Sequence, residues 1–218
     1  MKNIARRKKF KEKHAILINM AKAKFIVIDG IDGCGKSTMI SLMEKRLSEK
    51  HKVYSTAEPS QGPIGKVLRE FLKNKRISGN IDALLFAADR LWHIEQEIIP
   101  NLEKYDYILS DRYVASSLAY QSAQRGKLDG NIDEWVAEIN KFAIVADLYI
   151  ILDIEPVESL KRRQNFDEKF ENAEFLNHVR KVFLNVKEML PFAKKYIIIK
   201  STTIEETSEK IFKEISQL

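Results

Sequence analysis

Cysteine is almost absent from this chain of 218 residues, where Cys34 stands alone. One thiol excludes a disulfide within the chain and any zinc cluster built from several cysteines. Histidine is scarce too: His14, His51, His93 and His178 are scattered without ligand spacing, so no transition-metal site is expected. No run approaches the roughly 18 apolar residues that a membrane span requires. A secretory signal is also missing, because the apolar stretch AILIN at 15–19 is too short and no small-residue cleavage site follows it. A cytoplasmic protein without membrane contact is therefore expected. Internal repeats and low-complexity tracts are absent as well.

Acidic charge falls short of basic charge, giving a formal +6, but the imbalance is local. Residues 1–24 hold nine lysines and arginines against Glu12, a net +8, which leaves the remaining residues at −2. Such a tail either steers the protein towards RNA or an anionic surface, or is a disordered end ahead of a start at Met20. The expected division is a basic leader over 1–22 and one domain over 23–218. Nucleic acid is not an expected partner of the body.

What the sequence does contain is alternation. Apolar, β-branched runs that read as buried parallel strands occur at 25–29, 52–56, 105–110, 147–153 and 195–200. Helix-period segments lie between them, at 36–50, 63–74, 81–103, 114–125, 131–143, 156–164, 173–190 and 203–217. This order predicts an α/β fold in three layers, a five-stranded parallel sheet with helices on both faces. Ligands of such sheets gather outside the carboxyl ends of the strands, so functional residues should follow strands directly.

After the first strand comes GIDGCGKS, residues 30–37, which satisfies GxxxxGK[ST] between a strand and a helix. Backbone amides of Gly30, Ile31, Asp32, Gly33, Cys34 and Gly35 would curl around a phosphate chain at a helix N-terminus. Lys36 would reach the β- and γ-phosphates, Ser37 would offer its hydroxyl to Mg²⁺, and Thr38 completes the loop. A glycine-rich turn without a nucleotide is the plain alternative. The strand and helix on either side favour a P-loop for a nucleoside triphosphate, with ATP as the expected occupant.

The third strand closes on Asp111 and Arg112. Beside a P-loop, such a carboxylate holds a water of the Mg²⁺ shell and the guanidinium clamps phosphoryl oxygens; alone, the two would be a surface ion pair. Phe86 and Arg90 stand four apart in the helical stretch LLFAADRLWH and so share a face. A ring and a guanidinium there could stack on a flat base and donate to its keto oxygen, or could be a core phenylalanine with a solvated arginine.

The ordered set IDGCGKST, AEPSQGPIG, LLFAADR, SDRYVASSLAYQ and ADLYIILDIEP resembles the thymidylate kinase family, with the spelling of DRYVASSLAYQSAQ closest to archaeal and bacterial members. The resemblance runs from about Lys24 to Leu218 and implies a P-loop kinase of five parallel strands with a short lid. It implies that Asp32 contacts the 3′-hydroxyl of the acceptor nucleotide and that Glu58 and Pro59 line the acceptor site. By the same resemblance Phe86 stacks on thymine, Arg90 donates to its O4, Arg112 clamps the acceptor phosphate, and Asp111 sits beside the metal. Tyr120 would crowd the sugar C2′, with Ser116, Ser117 and Gln121 near base and sugar. A homodimer is also implied.

Three departures from the family pattern stand out. The acceptor turn reads Ser60-Gln61-Gly62 where relatives have Gly-Gly-Thr, which leaves its backbone path open. Gly33 stands where some members place an arginine aimed at the γ-phosphate. The lid segment at 161–172 would then supply that charge, with Arg162 and Arg163 as candidates; a charged, exposed helix end is the alternative. The implied reaction is transfer of the γ-phosphoryl group of ATP to dTMP, giving dTDP for dTTP synthesis. A kinase of another pyrimidine monophosphate such as dUMP, or a regulatory nucleotide-binding protein, are the rivals.

Overall fold

The computed structural model describes residues 22–73, 78–126, 132–162, 173–185 and 192–218. The leader over 1–21, Arg163 and the rest of the lid to 172 lie outside them. Five strands form one parallel sheet in the order β2-β3-β1-β4-β5, with β1 at Lys24–Asp29, β2 at Val53–Ala57, β3 at Tyr107–Asp111, β4 at Ala146–Asp153 and β5 at Ala193–Lys200. β1 and β4 are nearly continuous apolar runs because helices cover both of their faces.

Helices α1 (Lys36–Leu47), which follows the glycine turn, and α8 (Ile204–Ile215) pack together against the sheet. Helices α3 (Gly79–His93), α4 (Val114–Gln124) and α7 (Ala173–Asn185) form a second packed group, with α2 (Pro63–Leu72) lying on α3. Two short helices, α5 (Glu134–Ile139) and α6 (Pro156–Arg162), precede β4 and follow it. The core fills the space between these layers, with Ile26, Val27, Ile28, Ile108, Leu148 and Ile150 fully buried at its centre.

Register explains the site. Ile28 of β1 pairs with Asp111 of β3, and Asp111 in turn faces Ala57 of β2. The glycine turn after β1, Arg112 after β3 and Glu58 after β2 therefore emerge side by side at one edge of the sheet.

Two elements differ from the sequence expectation. The helix expected to run unbroken over 81–103 instead ends as α-helix at His93, widens into a π-helical turn at Ile94–Ile98 and closes with one turn at Ile99–Asn101. Pro100 is the reason: its ring would press on the carbonyl of Gln96 four residues back, and a π turn relieves that contact. The helix expected over 131–143 is only α5, stopped where Asn140 bonds the carbonyl of Val136 at 2.8 Å through its own side chain.

Candidate active site

Gly30 opens the turn with φ 143°, and a Cβ there would stand 2.5 Å from the carbonyl oxygen of Leu152. Only a residue without a side chain lets the loop leave β1 so close to β4. Lys36 lies 6% exposed and donates from Nζ to the carbonyls of Gly30 (3.0 Å) and Ile31 (2.9 Å), so its ammonium sits inside the curve of the loop.

A cavity of about 610 Å³ lies over this loop. Residues 32–38 line it, while Gly30 and Ile31 stand behind them as Lys36 acceptors. Asp111 and Arg112 form another side, and Arg162 reaches in with Nη1 donating to Ser201 Oγ at 3.2 Å. Ser37 donates to Asp111 Oδ2 at 2.6 Å, whereas the buried Oδ1 of Asp111 has no hydrogen-bond partner among the described residues. A hydroxyl beside a carboxylate with one oxygen to spare fits a magnesium ion, which takes few protein ligands and fills its shell with phosphate oxygens and water.

A second cavity of about 310 Å³ adjoins the first. Phe86, Tyr120 and Gln121 form its walls together with Ser116, Pro59 and Arg69, and Asp32 and Arg112 belong to both cavities. Arg112 Nη2 pairs with Asp32 Oδ1, and Arg112 Nη1 donates to Ser116 Oγ at 3.2 Å. Burial works against the guanidinium charge, but Asp32 beside it prevails, and the group is held even more firmly protonated than a free arginine. Tyr120 donates from its hydroxyl to Asp32 Oδ2 at 3.0 Å and accepts from the Asp32 amide at 2.9 Å. Burial first, then Asp32, pushes the Tyr120 phenol well up, so it remains a donor.

Not every expected residue reaches a cavity wall. Arg90 is 2% exposed and lines neither cavity. Its guanidinium donates to Glu58 Oε2 from Nε (3.0 Å) and Nη2 (2.6 Å), to the Tyr113 carbonyl and Ser117 Oγ at 3.1 Å each, and to Asn140 Oδ1. The residue expected to donate to a base thus stands behind the wall in this structure, where a buried guanidinium needs a counter-ion and Glu58 is the carboxylate in reach. Ser117 is drawn behind the wall with it. Glu58 reaches the first cavity, and its Oε1 meets His93 Nδ1 at 3.2 Å.

The turn that departs from the family spelling is fixed by α3. Asp89 accepts from the amide of Ser60 at 2.7 Å and from its hydroxyl at 2.6 Å, and Ser60 Oγ accepts from the Gly62 amide at 3.1 Å. Pro59, after a cis peptide, presents itself to the second cavity on this support.

Residues that the sequence reading passed over complete both sites. Arg69 of α2 enters the second cavity and donates to the Pro59 carbonyl at 2.6 Å. Its only signal was a shared helical face with Leu72, which is weak. Ser201, Thr202, Thr203, Ile204 and Thr207 close the first cavity. They follow β5 directly, so the rule that functional residues succeed strands would have found them.

Comparison with known proteins agrees with this geometry. A family model described as thymidylate kinase matches residues 28–211. A protein of Pyrobaculum aerophilum named probable thymidylate kinase is 45% identical over 163 residues, 73% of this chain and 81% of its own. Proteins of the same name from Methanococcus aeolicus (40% over 201 residues, 88% and 95% of the two chains) and Pyrococcus abyssi (40% over 197 residues, 86% and 93%) extend the match.

Proposed function

Since the chain belongs to the thymidylate kinase family, we propose that it transfers the γ-phosphoryl group of ATP to dTMP, forming ADP and dTDP. The observation that carries this reading is the pair of adjoining cavities with Asp32 and Arg112 common to both. A donor triphosphate over the loop and an acceptor monophosphate beside Phe86 would meet at those two residues.

The acceptor's phosphate competes with Asp32 for Arg112, and its 3′-hydroxyl takes the carboxylate that Arg112 gives up. Arg69 offers a second cation to the same phosphate. Phe86 stacks on thymine, and Gln121 is the buried amide on the wall that can read the edge of the base, with Arg90 and Ser117 stiffening the wall behind. Lys36 follows the γ-phosphoryl group, and Arg162, with Arg163 next to it in sequence, supplies positive charge from the lid. An oxygen of the acceptor phosphate attacks the γ-phosphorus in line, and the bond to the β-phosphate oxygen breaks. That nucleophile is already anionic, so no strong general base is needed, and positioning with charge stabilisation carries the rate. Ser37 and Asp111 would hold the magnesium ion, which neutralises phosphate charge when bound.

No helix among the described residues is long and apolar enough to cross a membrane. We place the enzyme in the cytoplasm, as one catalytic domain over 23–218 that pairs into a homodimer. The deciding experiment is a panel of nucleoside monophosphates with ATP and Mg²⁺. Turnover of dTMP above dUMP and dCMP is expected. Phosphorylation of dUMP or dCMP with no dTMP turnover would overturn the substrate assignment.

A further inference from the structure

Asp29, the last residue of β1, is fully buried and lines neither cavity. Five donors converge on its carboxylate. Oδ1 accepts from the Gly30 amide at 2.9 Å and the Ser116 hydroxyl at 2.7 Å. Oδ2 accepts from the Tyr149 hydroxyl at 2.8 Å and from the amides of Ser116 and Tyr113 at 3.1 and 3.2 Å. Three of the five are amides that can only donate, and with both hydroxyls donating as well the set fits a carboxylate that accepts at each oxygen. Burial prevails and holds this carboxyl above the usual carboxylate range, although the charges of Arg112 and Lys36 and the hydroxyls of Ser116 and Tyr149 act in the opposite sense.

These bonds perform two tasks at once. The first amides of a helix have no partner within it. α4 finds them outside: Asp29 takes Tyr113 and Ser116, and the Tyr149 hydroxyl takes the Ala115 amide at 2.9 Å. Tyr113 at the cap position makes no capping bond through its own side chain. Meanwhile Arg112, just before α4, has φ 70°, a left-handed conformation unfavourable for a residue with a Cβ. Its amide donates to the Ile28 carbonyl at 3.0 Å, its carbonyl accepts from Ser110 Oγ at 2.8 Å, and the next amide is the one Asp29 holds. The side chain is tied in as well. Ser116 Oγ spends its proton on Asp29 and turns a lone pair to Arg112 Nη1 at 3.2 Å.

We propose that Asp29 is a positioning residue which fixes Arg112 and the first turn of α4 against the phosphate loop, so that acceptor clamp and donor cradle keep one spacing. This rests on the functional reading above, in which Arg112 holds the acceptor phosphate. Asp29 touches no substrate, yet its neighbour Gly30 accepts from Lys36 behind one site and its partner Ser116 lines the other.

Asp29→Asn tests it, since the amide keeps the shape but presents N–H₂ to at least one of the converging donors. The KM for dTMP should rise about tenfold or more, the loss of one hydrogen bond to a charged group, while the KM for ATP stays near that of the parent. Amide hydrogen exchange at Tyr113 and Ser116 should quicken in the nucleotide-free protein, with α1 unchanged. Equal changes in both KM values, or none, would overturn the inference, as would unchanged exchange at those two amides. Should the Asn variant fail to fold, Tyr149→Phe removes one donor to Asp29 and the acceptor of Ala115 from outside both cavities. It should shift the dTMP KM and the exchange in the same direction to a lesser degree, and no shift refutes the brace. Parent enzyme that does not phosphorylate dTMP would sink the functional reading alone, because the exchange measurement still reports on Asp29.

Discussion

At Tyr120 the ring and the hydroxyl have separable effects. The ring is nearly buried, 6.3 Å from the rings of Phe175 and Phe183, and borders the acceptor cavity, while the hydroxyl is tied to the amide and carboxylate of Asp32. A 2′-hydroxyl pressed against that ring would lose water without gaining a partner, a penalty of about 1–3 kcal/mol. Tyr120→Ala should therefore raise the ratio of kcat/KM for ribothymidine monophosphate to that for dTMP about tenfold, one decade for each 1.4 kcal/mol. Tyr120→Phe keeps the ring and should leave the ratio unchanged while weakening both substrates through the loosened Asp32. An unmoved ratio in the Ala variant, with its melting temperature as control, would make the ring mere packing. The contrast with Arg90 shows what the sequence can carry at this scale. Lys36, Ser37 and Asp111 were legible because motif and strand end fix their places. Arg90 was not, since helical spacing gives a face but not the depth at which a guanidinium meets a carboxylate such as Glu58, 32 positions away in sequence.

Elements transmit these placements, and α3 does so for the acceptor turn. It sends Asp89 to Ser60, Arg90 and His93 to Glu58, and Phe86 into the cavity, so a stretch of helix shapes the whole exit of β2. α2 must then pass close by, and a Cβ on Gly65 would lie 2.0 Å from the carbonyl oxygen of Ser60. In an exposed helix Gly to Ala gains up to about 1 kcal/mol, but overfilling a packed site costs about 1–3 kcal/mol, and the backbone contact here decides for the cost. Gly65→Ala should lower the melting temperature and raise the KM for dTMP, with little effect on the KM for ATP. A rise in melting temperature would show that the turn does not rest on α2 in this way. The strands were legible to within two residues because buried parallel strands announce themselves as apolar runs. The π turn at Ile94–Ile98 and the short α5 were not, because Pro100 and the Asn140 side chain act through geometry that hydrophobic period does not record.

At the scale of the whole molecule, the helices that build the acceptor cavity also present its outer side to solvent. Val67 and Phe71 of α2 are 47% and 37% exposed, and Ile81 and Leu84 of α3 are 44% and 51% exposed. Each pair is spaced three or four apart and so shares a helical face, and α2 and α3 pack on each other. Large apolar side chains gathered on two neighbouring helices are costly in water and suit an interface, which in a stable complex covers about 1,200–2,000 Å² in total. A second copy of the chain is the occupant that our functional reading supplies, and it would stiffen the acceptor cavity from outside. Leu84 would then belong to the interface and Phe86, two residues on, to the base. Sedimentation of the parent protein should give a dimer, and Leu84→Glu, which buries an unpaired charge in the contact, should shift it towards monomer. The monomeric variant should keep its fold and its KM for ATP but bind dTMP more weakly, because the wall that carries Phe86 would lose the partner's support. A parent protein that sediments as a monomer at tens of micromolar, or a dimer that Leu84→Glu leaves intact, would refute this use of the α2–α3 surface.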